Sequence, residues 1–292
     1  MRLLTAAFLA LGLVLQGAQA ASNFDARRAE WNAPQKPFRI YGNTWYVGPH
    51  GLSSILIDTG HGLILLDGDL PESPPQIEEH VRALGFHVRE IKWIMNSHAH
   101  MDHAGGIAQL QRDSGAQVIS STEGARQLEL GGAHAADPQY GFHLTYAPVR
   151  TVRVVRDGET LRLGSVAITA HYTPGHTPGS TSWTWASCDG ARCLHMAYID
   201  SLNAVAGPGF RFSDHPEYVA AFRKAIAMVA ALPCDILMTP HPDASGFWEK
   251  AARRKSVDDV AQLIDKNACR DYAANATKML DAQLAKERAK SG

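Results

Sequence analysis

Charge of one sign is missing from this sequence: 28 Lys and Arg stand against 29 Asp and Glu in 292 residues. Without a net field, nothing draws in nucleic acid or an anionic membrane surface, so the expected partner is a small molecule. Cysteine is scarce, four in all. No two of them are spaced Cys-x-x-Cys, which argues against a zinc ribbon or a thioredoxin-type redox site. Past the N-terminus, no apolar run is long enough to span a bilayer. Hydrophobic residues make up 45% and charged residues 20%. That is ordinary globular usage, and it excludes a disordered, collagen-like or disulfide-dominated chain. The length allows two domains or one large α/β domain, and no linker or fixed-period repeat divides it.

Met1-Arg2 opens an apolar run from Leu3 to Leu15, followed by Ala18-Gln19-Ala20, a small-x-small site. The run is too short for a membrane anchor and reads as a secretory signal peptide over residues 1–20, leaving a mature domain of 21–292. The product is then periplasmic or secreted, where cysteines can pair. Four cysteines allow three connectivities. The Asp189-Gly190 turn favours Cys188–Cys193, which leaves Cys234 to join Cys269.

After a polar leader, Phe38–Gly48, Ser54–Thr59 and Gly62–Asp67 read as strands of a β-meander. A helix over Pro71–Leu84, a strand at Ile91–Met95, a helix over Gly105–Arg112, a strand at Gln117–Ser120 and a helix over Thr122–Leu130 follow. The segment Gly131–Pro148 has the composition of an exposed loop. Strands are then expected at Val152–Val155, Thr160–Leu163, Val166–His171, Ser182–Trp185 and His195–Ile199. Next come a helix over Pro216–Leu232, a strand at Asp235–Met238, and a mostly helical Ser256–Ala289 broken near Cys269. Two strand blocks, each with helices, predict an αβ/βα sandwich of two mixed β-sheets with helices on both outer faces.

Histidine is abundant, 14 in all, and its placement carries the chemistry. His98, His100, Asp102 and His103 crowd the end of the Ile91–Met95 strand. Positions two apart in an extended segment project the same way, so His98 and His100 can grip one metal. Asp102 and His103 turn into the next helix and can face a second, with Gly105 and Gly106 relieving the crowding. Two adjacent cations need imidazole and carboxylate ligands from several segments. His176, in Thr173-Pro174-Gly175-His176-Thr177-Pro178-Gly179, would complete the first site. His241, between Pro240 and Pro242, would complete the second. The other histidines, His50, His61, His80, His87, His134, His143, His171, His195 and His215, read as ordinary packing or loop residues.

The run His98-x-His100-x-Asp102-His103 with His176 and His241 resembles the metallo-β-lactamase superfamily, whose fold is an αβ/βα sandwich. More narrowly, Tyr41–Gly48, Pro174–Gly179, Asp200-Ser201-Leu202 and Pro240-His241-Pro242 resemble subclass B3. The Cys188/Cys193 and Cys234/Cys269 pairs are similar to that subclass's disulfides. The resemblance implies two zinc ions, one on His98, His100 and His176, the other on Asp102, His103 and His241. It further implies hydrolysis of penicillins, cephalosporins and carbapenems by a zinc-bound hydroxide that Asp102 orients, with Ser201 and Asn203 near the substrate. In lactonase-like and thioesterase-like relatives an Asp in the position of Asp200 bridges both metals, which keeps a lactone or thioester hydrolase as the alternative. A non-catalytic zinc protein fits less well, because three ligands per metal leave room for water. Serine β-lactamase chemistry is disfavoured, since no lysine lies three residues after a serine and no Gly-x-Ser-x-Gly occurs. Tyr140 and Phe142 are candidates for an apolar substrate wall, and a monomer is expected.

Overall fold

The computed structural model describes residues 26–289. The expected signal peptide lies outside them. A short helical segment, 26–31, precedes a seven-stranded sheet in sequence order: β1 (Phe38–Tyr41), β2 (Thr44–Tyr46), β3 (Ile55–Asp58), β4 (Leu63–Leu66), β5 (Ile91–Met95), β6 (Gln117–Ser120) and β7 (Val152–Val154). The second sheet has five strands, ordered β12-β11-β10-β9-β8. These are β8 (Thr160–Leu163), β9 (Val166–Tyr172), β10 (Thr181–Asp189), β11 (Arg192–Tyr198) and β12 (Ile236–Met238). Both sheets mix parallel and antiparallel pairings.

Period-two alternation places the core. In β4, Ile64 and Leu66 face the second sheet, while Leu63 and Leu65 face α1 (Pro74–Ala83). In β12, Ile236 and Met238 turn inward and Leu237 faces α5 (Pro216–Ala230) and α7 (Ala268–Ala289). Strands buried on both faces read as continuous apolar runs, which is why Leu63–Leu66 shows no polar alternation. Between the sheets, Trp183 is fully buried, and its indole N–H donates to the Asn96 carbonyl at 3.1 Å. The sandwich is therefore the architecture expected from the two strand blocks.

Several local expectations change. Phe38–Gly48 is not one strand but the β1/β2 hairpin, reversed at Gly42, whose φ of 52° is readily adopted only without a side chain. The helix expected from Gly105 starts earlier, as α2 (Met101–Ala104), and restarts as α3 (Ile107–Ser114), while α4 (Thr122–Glu129) lies where a helix was expected. A Cβ on Gly106 would lie 2.1 Å from the Gly68 carbonyl, so the two glycines do relieve crowding, at a close backbone crossing. The C-terminal region is not broken near Cys269: α7 begins at Ala268, and 256–267 holds only a 3₁₀ turn at Val260–Gln262. There Val260, Leu263 and Ile264 pack over the end of the inter-sheet core, so tertiary contact overrides a helix-like composition. A short helix, α6 (Phe247–Ala252), was not anticipated.

Both expected disulfides form. Cys188–Cys193 closes the β10/β11 hairpin, and Cys234–Cys269 ties the approach to β12 to the first turn of α7. Strands β4, β5 and β6 run parallel, as do β11 and β12, and β9 shares their sense through antiparallel β10. The loops leaving β5, β9, β11 and β12 carry the metal-ligand candidates, at one rim of the sandwich. At that rim the Thr181 amide donates to the Ser97 carbonyl at 2.8 Å, joining loops of the two sheets.

Candidate metal centre

Each loop at this rim is fixed before it offers a ligand. Asp67, just past β4, accepts the Ser97 amide at 2.7 Å, the Ser97 hydroxyl at 2.6 Å, Asn96 Nδ2 at 3.1 Å and the Tyr198 hydroxyl at 2.8 Å. This fully buried carboxylate sets the start of the His98 loop and links it to β11. Burial pushes its carboxyl up to about 7. In the second sheet, a Cβ on Gly175 would strike the Phe222 ring at 2.1 Å, so the His176 loop needs glycine there to sit against α5.

Three imidazoles converge. His98, His100 and His176 each bring a ring nitrogen within 4.8 Å of the others. The outer nitrogen of each is occupied by a pure acceptor. His98 Nδ1 donates to Asp200 Oδ1 at 2.7 Å, His100 Nε2 to Asp137 Oδ2 at 2.9 Å, and His176 Nδ1 to the Asn203 carbonyl at 3.1 Å. A carboxylate or carbonyl oxygen cannot donate, so the proton of each neutral ring sits on the outer nitrogen and a lone pair faces inward. His100 Nδ1 and His176 Nε2 stand 3.2 Å apart, and only a proton or a metal cation can lie between them. His98 Nε2 is buried without a partner.

Beside this triad lies a second group. Asp102 Oδ2 is 3.3 Å from both His103 Nε2 and His241 Nε2, and these nitrogens are 3.2 Å apart. His98 is also within reach of Asp102 and His103, so the two groups adjoin. All six residues anticipated as ligands are brought together, in the two sets read from their spacing. Burial works to raise the Asp102 carboxyl, but His103 and His241 outweigh it and hold it well below the usual carboxylate range. Burial, helped by neighbouring imidazoles, keeps His98 and His176 well below the ordinary histidine range, in the neutral form a metal requires. Burial also lowers His100, but Asp137 overcomes it and raises this imidazole's basicity. The donors are nitrogen and oxygen, three to a set, which suits a borderline cation such as zinc with a coordination position left over.

Sequence reasoning missed Asp137 and Asp67. Gly131–Pro148 is not simply an exposed loop: Asp137 is 2% exposed, it accepts from Gln127 as well as His100, and the Tyr146 hydroxyl donates to the Ala99 carbonyl at 2.8 Å. An acidic residue closing an all-apolar strand was a usable signal for Asp67; nothing local marks Asp137. Asp200 lies behind His98, on its outer nitrogen. Asn203 lines the cavity, whereas Ser201 is buried and is not among the residues that line it. His171 bonds the Thr184 hydroxyl and His195 pairs with Asp235, away from the metal-ligand cluster, as expected of structural histidines.

Above the two sets opens a cavity of about 620 Å³. Tyr140, Phe142, Leu144 and Val205 form an apolar side, and Trp31 packs against His241 with ring centroids 5.3 Å apart. Among the described residues, no helix is long and apolar enough to cross a membrane.

The fold and the sequence are similar to those of known proteins. Structurally, the chain is similar to MEM-A1, a subclass B3 metallo-beta-lactamase isolated from a soil metagenome library: 48% identity, TM-score 0.86, covering 89% of this chain and 99% of that one. It is similar to the metallo-beta-lactamase SMB-1, solved with 2-mercaptoethanesulfonate bound: 40% identity, TM-score 0.85, covering 88% and 99%. In sequence it is 29% identical over 236 residues to a probable metallo-hydrolase of Burkholderia pseudomallei (strain 1710b), covering 77% of this chain and 69% of that protein. Residues 38–241, from the first strand to the last ligand candidate, match the family description itself, and the chain belongs to the metallo-beta-lactamase superfamily.

Proposed function

We propose that the protein is an exported, zinc-dependent β-lactamase that hydrolyses the amide of penicillins, cephalosporins and carbapenems, and so confers resistance to them. The observation that carries this reading is the pair of adjoining three-ligand sets at the floor of an open cavity. The likeness to subclass B3 enzymes over nearly their whole length supports it. His98, His100 and His176 would hold one zinc, and Asp102, His103 and His241 the other. When bound, zinc supplies Lewis acidity toward the lactam carbonyl and brings the pKa of water toward about 7.

The chain's own residues do the rest. Asp102, held ionised, accepts a hydrogen bond from the attacking water and aims it at the carbonyl carbon. Asp200, Asp137 and the Asn203 carbonyl fix the three imidazoles so that no reorientation is needed during reaction. Ser201 and Asn203 are assigned to the polar edge of the substrate, and the apolar side of the cavity to its side chains. No protein nucleophile is required.

Imipenem hydrolysis by the purified mature chain should cease on chelation and return with zinc, and His98→Ala and Asp102→Asn should each abolish most of it. Turnover of a lactone or a glutathione thioester in place of imipenem would overturn the assignment. Metal binding without turnover of any of them would make this a non-catalytic zinc protein. The lactone or thioester reading needs Asp200 between the metals, whereas here its Oδ1 engages the outer nitrogen of His98. Cleavage after Ala20 during export, giving a monomeric chain that starts at residue 21, completes the proposal and is read by N-terminal sequencing and gel filtration.

A further inference from the structure

The leader before β1, plain in sequence, is part of the site wall. Arg28 clamps Glu72 with bonds of 3.0 and 2.6 Å, and the Ser73 hydroxyl donates to Asn32 Oδ1 at 2.7 Å. The Gly51 amide donates to the Trp31 carbonyl at 3.1 Å, and a Cβ on Gly51 would sit 2.6 Å from Trp31 Cα. The segment is thus seated by backbone contact, with Trp31 held against His241 of the second ligand set.

Arg27 rides on this platform. Its guanidinium carbon lies 5.9 Å from the centre of the Trp31 ring, and the residue lines the cavity. Of the described residues that line the cavity it is the one Lys or Arg. Among the described residues it makes no ion pair, whereas its neighbour Arg28 is committed to Glu72. The two carboxylates facing the cavity are already engaged, Asp102 with His103 and His241, and Asp137 with His100. Asn203, on the cavity wall, offers only neutral groups.

Another part of the cavity lining carries the large apolar side chains Tyr140, Phe142 and Leu144 and is tied to the first ligand set. Tyr140 and Phe142 follow Asp137, which holds His100, and Gln139, whose Nε2 is 3.4 Å from His176 Nε2. That segment is braced by the Gly207 amide donating to the Pro138 carbonyl at 2.8 Å. The cavity is therefore polarised, with a cation beside the second set and an apolar rim beside the first.

We propose that Arg27 is a specificity-determining residue that recognises the anionic group of the substrate, a carboxylate or sulfonate, and so orients the molecule with its apolar substituent toward Tyr140 and Phe142. This rests on the β-lactamase reading for the identity of the substrate, but not for the existence of the anion subsite. A guanidinium matches either oxyanion with two parallel N–H donors. Its exposure makes the contact a modest one, worth about two- to fivefold in affinity.

The test uses zinc-loaded mature chain and two thiols that differ in the anion, 2-mercaptoethanesulfonate and 2-mercaptoethanol, titrated by tryptophan fluorescence. The wild type should prefer the sulfonate, Arg27→Ala should lose about two- to fivefold of that preference, and Arg27→Lys should keep part of it. Lys224→Ala, which removes an equal charge from the exposed face of α5, outside the cavity lining, should keep all of it. In parallel, Arg27→Ala should raise the KM for imipenem by a similar factor with little change in kcat. Equal weakening of both thiols would mean that Arg27 acts only through Trp31, and that result, like an unchanged preference or none in the wild type, overturns the proposal. Should imipenem not be turned over while the Arg27-dependent preference persists, the β-lactamase reading fails and the anion subsite stands.

Discussion

His98 and Asp200 are both fully buried, and the Nδ1 proton of one is shared with the Oδ1 of the other across 2.7 Å. They belong to different sheets, 102 residues apart, so this bond registers the first ligand loop against the second. It also decides the tautomer: with Nδ1 donating, Nε2 is left bare and faces the metal position. Removing the acceptor should free the ring to rotate and to exchange tautomers. Asp200→Ala is expected to weaken zinc binding by about 10- to 100-fold, measured by competition with a chromophoric chelator. Asp200→Asn, whose carbonyl oxygen can still accept, should lose less. An Asp200→Ala protein with unchanged zinc affinity would remove the positioning role.

The two ligand sets differ in what supports them. The first has three outer partners, whereas His103 Nδ1 is buried without one, and the His241 ring, carried on the loop between Pro240 and Pro242, packs against Trp31. His241→Ala should therefore release one zinc and keep the other, so that metal analysis of the dialysed variant gives one ion per chain where the wild type gives two. Loss of both would show that the two sets bind as one unit.

How much of this the sequence disclosed follows from how local each signal is. His98, His100, Asp102 and His103 were legible because extended geometry and a helix start dictate where neighbours in one short segment point. His176 and His241 were legible through the glycine and proline that fix their loops. Asp137 was not, since a carboxylate in an irregular loop gains meaning only when folding brings His100 to it. Trp31 and Arg27 were hidden for the same reason: Gly51 and Glu72, which seat their segment, are distant in sequence. The sandwich itself could be read from apolar strand blocks, but the β1/β2 reversal at Gly42 and the irregular path of 256–267 depend on contacts across the fold.

The disulfides should contribute unequally. Cys234–Cys269 closes a separation of 35 residues and Cys188–Cys193 one of only 5. On the chain-entropy account, the longer closure restricts the unfolded chain more, by about 4 kcal/mol against about 2 kcal/mol. The hairpin bond is also duplicated by the β10/β11 ladder. Urea unfolding of Cys234→Ser/Cys269→Ser should show the larger loss of midpoint, and the reverse order would contradict the entropic explanation.

Glu287, on α7, accepts the amides of Phe212 and Ser213 at 3.2 and 2.7 Å and the Gln283 side chain at 2.7 Å. It thereby anchors the segment that follows the cavity-lining residues Asn203 and Val205. Burial works to raise its carboxyl, but the donors, Ser213 foremost, hold it below its usual range. A carboxyl whose pKa is lower in the folded than in the unfolded chain stabilises the fold above the unfolded pKa, and that stabilisation disappears as the pH falls through the folded value. Glu287→Gln should accordingly cost about 1–2 kcal/mol at neutral pH, seen as a lower urea midpoint. The gap to the wild type should narrow progressively as the pH falls below about 4.5, the ordinary Glu value. A gap independent of pH would mean that the side chain acts through packing alone, and a gap that widened in acid would reverse the assigned direction of the shift.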